Sequence, residues 1–220
     1  MSQFTFNLEN KPALGRNDFI VSESNLDAIR WIDNWPNWSH NSSGLNVVGP
    51  KSSGKTHLGS VWCSLSKAEW VNAPITDGMR VPDILKNGQH IVLDNFNHTW
   101  PGVPLLHLYN LVRERKGFML ISSNIPVAQL GIAPDDLASR LSTMPVVAIK
   151  PPDDFLLKEV MLKLFKDRQI AVENGVVDYL VIRMERSFEE ALRLVNLSDK
   201  EALAAKNRIT IPLASRVLRK

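Results

Sequence analysis

Apolar residues along this chain gather into short continuous runs, and between the runs they recur at three- and four-residue spacing. The runs Leu45–Val48, Ile91–Asp94, Phe118–Ile121 and Val146–Ile149 predict largely apolar strands, and a further strand fits Glu69–Asn72, five in all. Helical spacing predicts helices over Glu23–Asn34, Thr56–Ser66 and Pro104–Arg115, with Ser24 or Asn25 as the cap of the first. Strands alternating with helices imply a parallel sheet covered on both faces, an α/β fold. After Pro151-Pro152 no strand pattern returns. Asp153 or Asp154 is expected to cap a helix that carries Phe155, Leu157, Val160, Met161 and Leu164 on one face. Further helices are expected over Val176–Met184, Ser187–Val195 and Ile211–Leu218. The polar residues 1–17 predict a tail leading into the fold, and Trp35–Gly44 a loop.

Composition narrows this picture. At 220 residues, 44% hydrophobic and 22% charged, the chain can bury a core without staples, and disorder is excluded as its main description. The one cysteine, Cys63, excludes an intrachain disulfide and a thiolate-rich zinc site. No run of 18 apolar residues offers a membrane span, and the N-terminus does not resemble a secretory signal, so the expected location is the cytoplasm. A net charge of +3 is too small for an extended nucleic-acid footprint. The densest basic stretch, Arg113–Lys116, reads as a solvated helix end. His98 and His107 stand in no metal-ligand spacing, and Trp31, Trp35 and Trp38 read as a packing cluster.

Chemistry concentrates in Gly49-Pro50-Lys51-Ser52-Ser53-Gly54-Lys55-Thr56, placed between a predicted strand and a predicted helix. This is the phosphate-binding loop pattern. Its glycines let backbone N–H groups close around phosphate oxygens, and the helix N-terminus adds positive potential. Lys55 is expected to neutralise the β- and γ-phosphates, and the Thr56 hydroxyl to ligate Mg²⁺. Asp94, closing an apolar strand, suits a carboxylate facing that Mg²⁺. The next position, where P-loop ATPases that activate their own water usually carry a second acid, holds Asn95, whose amide cannot take a proton from water. Weak or absent intrinsic hydrolysis is the expectation. Asn124, after the fourth strand, is a candidate for contact with the γ-phosphate or the attacking water, and Arg140 and Arg186 are candidate phosphate clamps.

These stretches, in order, resemble the AAA+ module of the bacterial initiator DnaA: Asp18–Val21 with Ser24-Asn25, Gly49–Leu58, Ile91–Asn95, Leu105–Asn110, Ile121–Pro126, Ser139-Arg140, Pro151-Pro152, Arg186–Leu192 and Ile209–Ile211. The chain is more similar to the Hda family, short relatives of DnaA. It ends at Lys220 after the expected lid without a helix-turn-helix domain, it carries Asn95, and it begins Gln3-Phe4-Thr5-Phe6-Asn7-Leu8. That hexapeptide resembles peptides that bind the replicative sliding clamp, with Gln3, Phe4, Phe6 and Leu8 as contacts and Phe6 where such peptides usually have Leu.

The resemblance implies an AAA+ P-loop fold with a five-stranded parallel sheet and a small helical lid. It divides the chain into a tail (1–14), a nucleotide-binding domain (15–150) and a lid (151–220). It implies ADP or ATP with Mg²⁺, held by the loop, His57, Asp94 and Arg186, with Phe19 and Ile20 at the adenine. It makes Asn124 sensor 1, Arg186 sensor 2, and Arg140 an arginine finger that enters a neighbouring DnaA and stimulates its ATP hydrolysis. Implied partners are DnaA and the β sliding clamp of DNA polymerase III, with self-association as a further expectation, DNA reached only indirectly and no membrane. An active AAA+ ATPase that loads a helicase or transposase, and a non-catalytic nucleotide-binding scaffold, are the alternative expectations.

Overall fold

The computed structural model of the chain describes residues 14–38, 43–75, 81–86, 88–205 and 207–220. Five strands form one parallel sheet: β1 (Gly44–Val48), β2 (Glu69–Val71), β3 (Ile91–Phe96), β4 (Met119–Ser123) and β5 (Val146–Ala148), in the order β2-β3-β4-β1-β5. Their side chains alternate between two cores, as the pleat requires. Ile91, Leu93, Met119 and Ile121 face α3 (Val81–Leu85), α4 (Gly102–Glu114) and α5 (Asp135–Ser142). Leu45, Val47, Val92, Leu120 and Val147 face α1 (Leu26–Asp33) and α2 (Lys55–Ser66). β4 sits between β1 and β3, so the loops that leave these three strands open side by side at one edge, where open α/β sheets hold ligands.

A third core joins α6 (Asp154–Asp167), α7 (Asn174–Val181), α8 (Phe188–Ala205) and α9 (Ile211–Leu218) into the helical lid. Asp153 caps α6, its carboxylate accepting from the Leu156 N–H at 2.7 Å. Asn25 stands at the cap position of α1 without making a side-chain cap. Its amide instead accepts from the Ser22 N–H and donates to the Ile20 carbonyl, which fixes the loop entering the helix.

Several expected boundaries move. β4 extends through Ser122 and Ser123, two buried hydroxyls that the apolar pattern left outside the strand. α8 runs ten residues beyond Val195, because Lys200, Glu201 and the alanines favour helix after the apolar stripe thins. Phe155 does not join the buried face of α6 but is 59% exposed, while Leu157 and Met161 are buried in the lid core. The described end of the expected tail is tied to the body: Arg16–Asp18 make a 3₁₀ turn, and the Arg16 guanidinium forks onto Asp33 at 2.8 and 3.0 Å.

The aromatic cluster is a structural core. Trp38 stacks on Trp62 at 5.4 Å, and Trp35 and Phe118 meet them edge-on. His90 lies in the same cage with its Nδ1 accepting from the Phe118 N–H, and burial holds its imidazole below the ordinary histidine range. His98 and His107 are exposed, and among the described residues no group of three His, Cys, Asp or Glu side chains is placed to hold a metal.

Candidate nucleotide site

The loop from Gly49 to Thr56 leaves β1 and enters α2 at the carboxyl edge of the sheet. Gly54 has φ +94°, in the left-handed region that favours glycine. A Cβ on Gly49 would lie 2.8 Å from the Ile149 carbonyl and 2.7 Å from Ser53 Oγ, so the loop packs against β5 only with a bare backbone there. Lys55 is 5% exposed. It donates to the carbonyls of Gly49 (2.8 Å) and Pro50 (2.7 Å) and to Asn124 Oδ1 (3.2 Å). Burial lowers its proton affinity, and the Asp94 carboxylate opposes that shift.

Asp94 ends the regular part of β3, where the ladder to β4 shifts register between Leu93 and Phe96. This irregularity turns the carboxylate toward the loop. Its Oδ2 accepts from Thr56 Oγ1 at 3.0 Å and from the Asn95 amide at 3.4 Å, and its Oδ1 accepts from Ser122 Oγ. The Ser122 hydroxyl in turn accepts from the Asn95 N–H at 2.9 Å. Asn95 has φ +56°, a left-handed conformation that Asn tolerates better than most residues. The same amide side chain therefore suits the bend and supplies no base.

A cavity of about 180 Å³ opens beside the loop. Phe19, Ile20 and His57 line one side, and Leu156, Val160 and Leu164 of α6 with Phe188 line the other. Phe19 meets the His57 ring edge-on at 5.1 Å, and His57 Nε2 donates to the Gly15 carbonyl at 3.2 Å. Burial pulls the His57 imidazole below its ordinary value, with Lys163 acting the same way. At the rim Lys163 binds the Asp18 carboxylate at 3.0 Å, and this bond holds that carboxyl below the usual range.

The arrangement suits a nucleotide. An apolar slot with polar rims fits a base. A helix N-terminus, a buried lysine and the Ser53 hydroxyl, buried with no hydrogen-bond partner, fit phosphate oxygens. The Thr56 hydroxyl and the Asp94 carboxylate, already in contact, fit a hard divalent cation.

Residues 158–218 match the family model of the Hda lid domain. Domain III of DnaA from Thermotoga maritima superposes with a TM-score of 0.81 at 14% identity, over 95% of this chain and 97% of that one. The chain has the fold of DnaA domain III, and its C-terminal helices match the Hda lid. AMPPCP-bound DnaA from Aquifex aeolicus has the same fold, with a TM-score of 0.68 at 19% identity over 89% of this chain and 69% of that one. A RuvB variant from Thermotoga maritima also superposes, with a TM-score of 0.72 at 15% identity, over 94% of this chain and 72% of that one. A Haemophilus influenzae protein described as uncharacterized is 23% identical over 192 residues, 78% of this chain and 80% of its own length.

On this fold the loop, His57, Asp94, Asn124, Phe19 and Ile20 come together at one edge of the sheet. Arg186 stands just before α8 and borders a second groove with Pro50, Lys51 and Ser52. Its fork is closed onto Asp154 at 2.9 and 3.1 Å. Arg140 lies apart, lining neither the cavity nor that groove. It projects from α5 with its side chain 34% exposed. Asp136 (2.8 Å), Asn110 (3.2 Å) and the Tyr109 ring (5.8 Å) hold it. Gln3, Phe4, Phe6 and Leu8 fall outside the described residues. Among the described residues no helix is long and apolar enough to cross a membrane.

Sequence reasoning missed Ser122, the Asp18–Lys163 pair and the lid's wall of the cavity. Ser122 carries a usable signal, a hydroxyl at the end of the strand beside Asp94. Leu156, Val160 and Leu164 carry none, since an apolar helix face reads the same against a core or a ligand.

Proposed function

We propose that this AAA+ chain is a nucleotide-bound regulator of replication initiation that binds ADP or ATP with Mg²⁺ and acts on DnaA in trans. The observation that carries the reading is the pairing of a complete phosphate loop, with Lys55 buried against the loop carbonyls and Thr56 bonded to Asp94, with an amide at Asn95. The bound Mg²⁺ would supply charge neutralisation at the phosphates. Lys55 would exchange the Gly49 and Pro50 carbonyls for phosphate oxygens, while Thr56 and Asp94 would hold the metal. Asn124, already bonded to Lys55, would lie beside the terminal phosphate. No carboxylate stands at position 95 to accept a proton from water, so the chain's own pocket is catalytically quiet.

The working cation is then Arg140. Its guanidinium would enter the ATP site of a neighbouring DnaA and stabilise charge on the γ-phosphoryl group. Residues 3–8 would tether the chain to the β sliding clamp, with residues 15–150 as the nucleotide-binding domain and residues 151–220 as the lid, all in the cytoplasm. The test is calorimetric titration with MgADP. Removing a charge-assisted contact worth about 1.5–3 kcal/mol, Lys55→Ala should weaken binding by roughly 10–100-fold with circular dichroism unchanged. Equal affinity in the two proteins would refute the site.

A further inference from the structure

The groove of about 500 Å³ beside the phosphate loop is bordered by three cations, Lys51, Arg186 and Arg193. Each already holds a carboxylate. Lys51 reaches Glu189 through one contact at 3.3 Å, and both side chains are well exposed. Arg193 forks onto Glu190, three residues away on the same helix, which is a local pairing. Arg186 differs from both. Its Nε and Nη2 close on the two oxygens of Asp154, 32 residues distant, and tie the first turn of α6 to the segment before α8.

Carboxylate and phosphate present the same pair of oxygens to a guanidinium fork. The two N–H groups that would grip a phosphate are therefore already engaged. Resting on the nucleotide reading above, we propose that Asp154 is a built-in counterion that competes with the phosphates of a nucleoside diphosphate for Arg186, and so sets how tightly this chain holds its nucleotide. The pair is suited to exchange. Its side chains are 66% and 50% exposed, so solvent screens it and a more highly charged anion displaces the carboxylate. The cap bond of α6 comes from Asp153, so a change at Asp154 leaves that bond in place.

The experiment is calorimetric titration of MgADP into wild type, Asp154→Asn, Arg186→Ala and the double variant, with a thermal melt of each. Asp154→Asn should bind about two- to fivefold more tightly, the range an exposed ion pair commands. Arg186→Ala should weaken binding, and adding Asp154→Asn to it should change nothing further. Unchanged or weaker binding by Asp154→Asn would overturn the competition, because the carboxylate would then be aiming Arg186 rather than withholding it. Tightening that persists without Arg186 would overturn it too, as a general effect of removing a negative charge. A folded wild-type chain that binds no MgADP would overturn the nucleotide reading and this inference together, whereas binding that ignores only Asp154 would overturn the inference alone.

Discussion

Arg140→Ala is expected to bind nucleotide normally, melt near the wild-type temperature, and lose about 10³–10⁵ of the stimulated hydrolysis in a neighbouring DnaA. The side chain lines neither the nucleotide cavity nor the Arg186 groove. Its loss therefore costs the fold little: one solvent-screened i,i+4 pair with Asp136 and the contact with Asn110. Arg140→Lys should fail nearly as badly, because an ammonium keeps the charge but not the planar fork. The surroundings support delivery to a partner: Asp136, Asn110 and Tyr109 hold the guanidinium at the surface rather than in the interior. Single-turnover hydrolysis by DnaA with each variant reads the effect. Full stimulation by Arg140→Ala would remove the finger from the account.

Trp62→Ala is the change expected to damage the fold most. Trp62 is fully buried on α2, stacked on Trp38 and met edge-on by Trp35 and His90. Truncating a buried tryptophan costs about 3–5 kcal/mol. Its indole N–H has no partner, so losing that group offsets part of the cost and favours the lower end. For a chain of this length the melting temperature should fall by roughly 6–20 °C. Because α2 begins at Lys55 and Thr56, nucleotide affinity should fall with it. Trp62→Phe, which keeps most of the ring, should recover most of both. A melting temperature within a degree or two of wild type would show that the aromatic cage is not what seats α2.

The parallel sheet was legible because its central strands are nearly continuous apolar runs, a pattern that follows from burial on both faces. The loop and Asp94 were legible because phosphate chemistry constrains residue type and spacing at once. Ser122 and Ser123 were hidden because hydroxyls look solvent-facing until their partners are known: Asp94 for one, the Ile125 carbonyl for the other. α5 was not assigned because only Leu137 and Leu141 are buried in its eight residues, too sparse a stripe to read. The lid's share of the base cavity and the Arg186–Asp154 fork depend on how helices cross, and periodicity along one helix holds no information about its neighbour.

The central claim is that this chain's own pocket is quiet while its arginine works elsewhere. Phosphate release measured on the isolated chain with MgATP, then with clamp, DNA and DnaA added, addresses it most directly. The account predicts almost no release by the lone chain and a large Arg140-dependent rise once DnaA is present. Rapid release by the chain alone, or no rise on adding the partner, would contradict it.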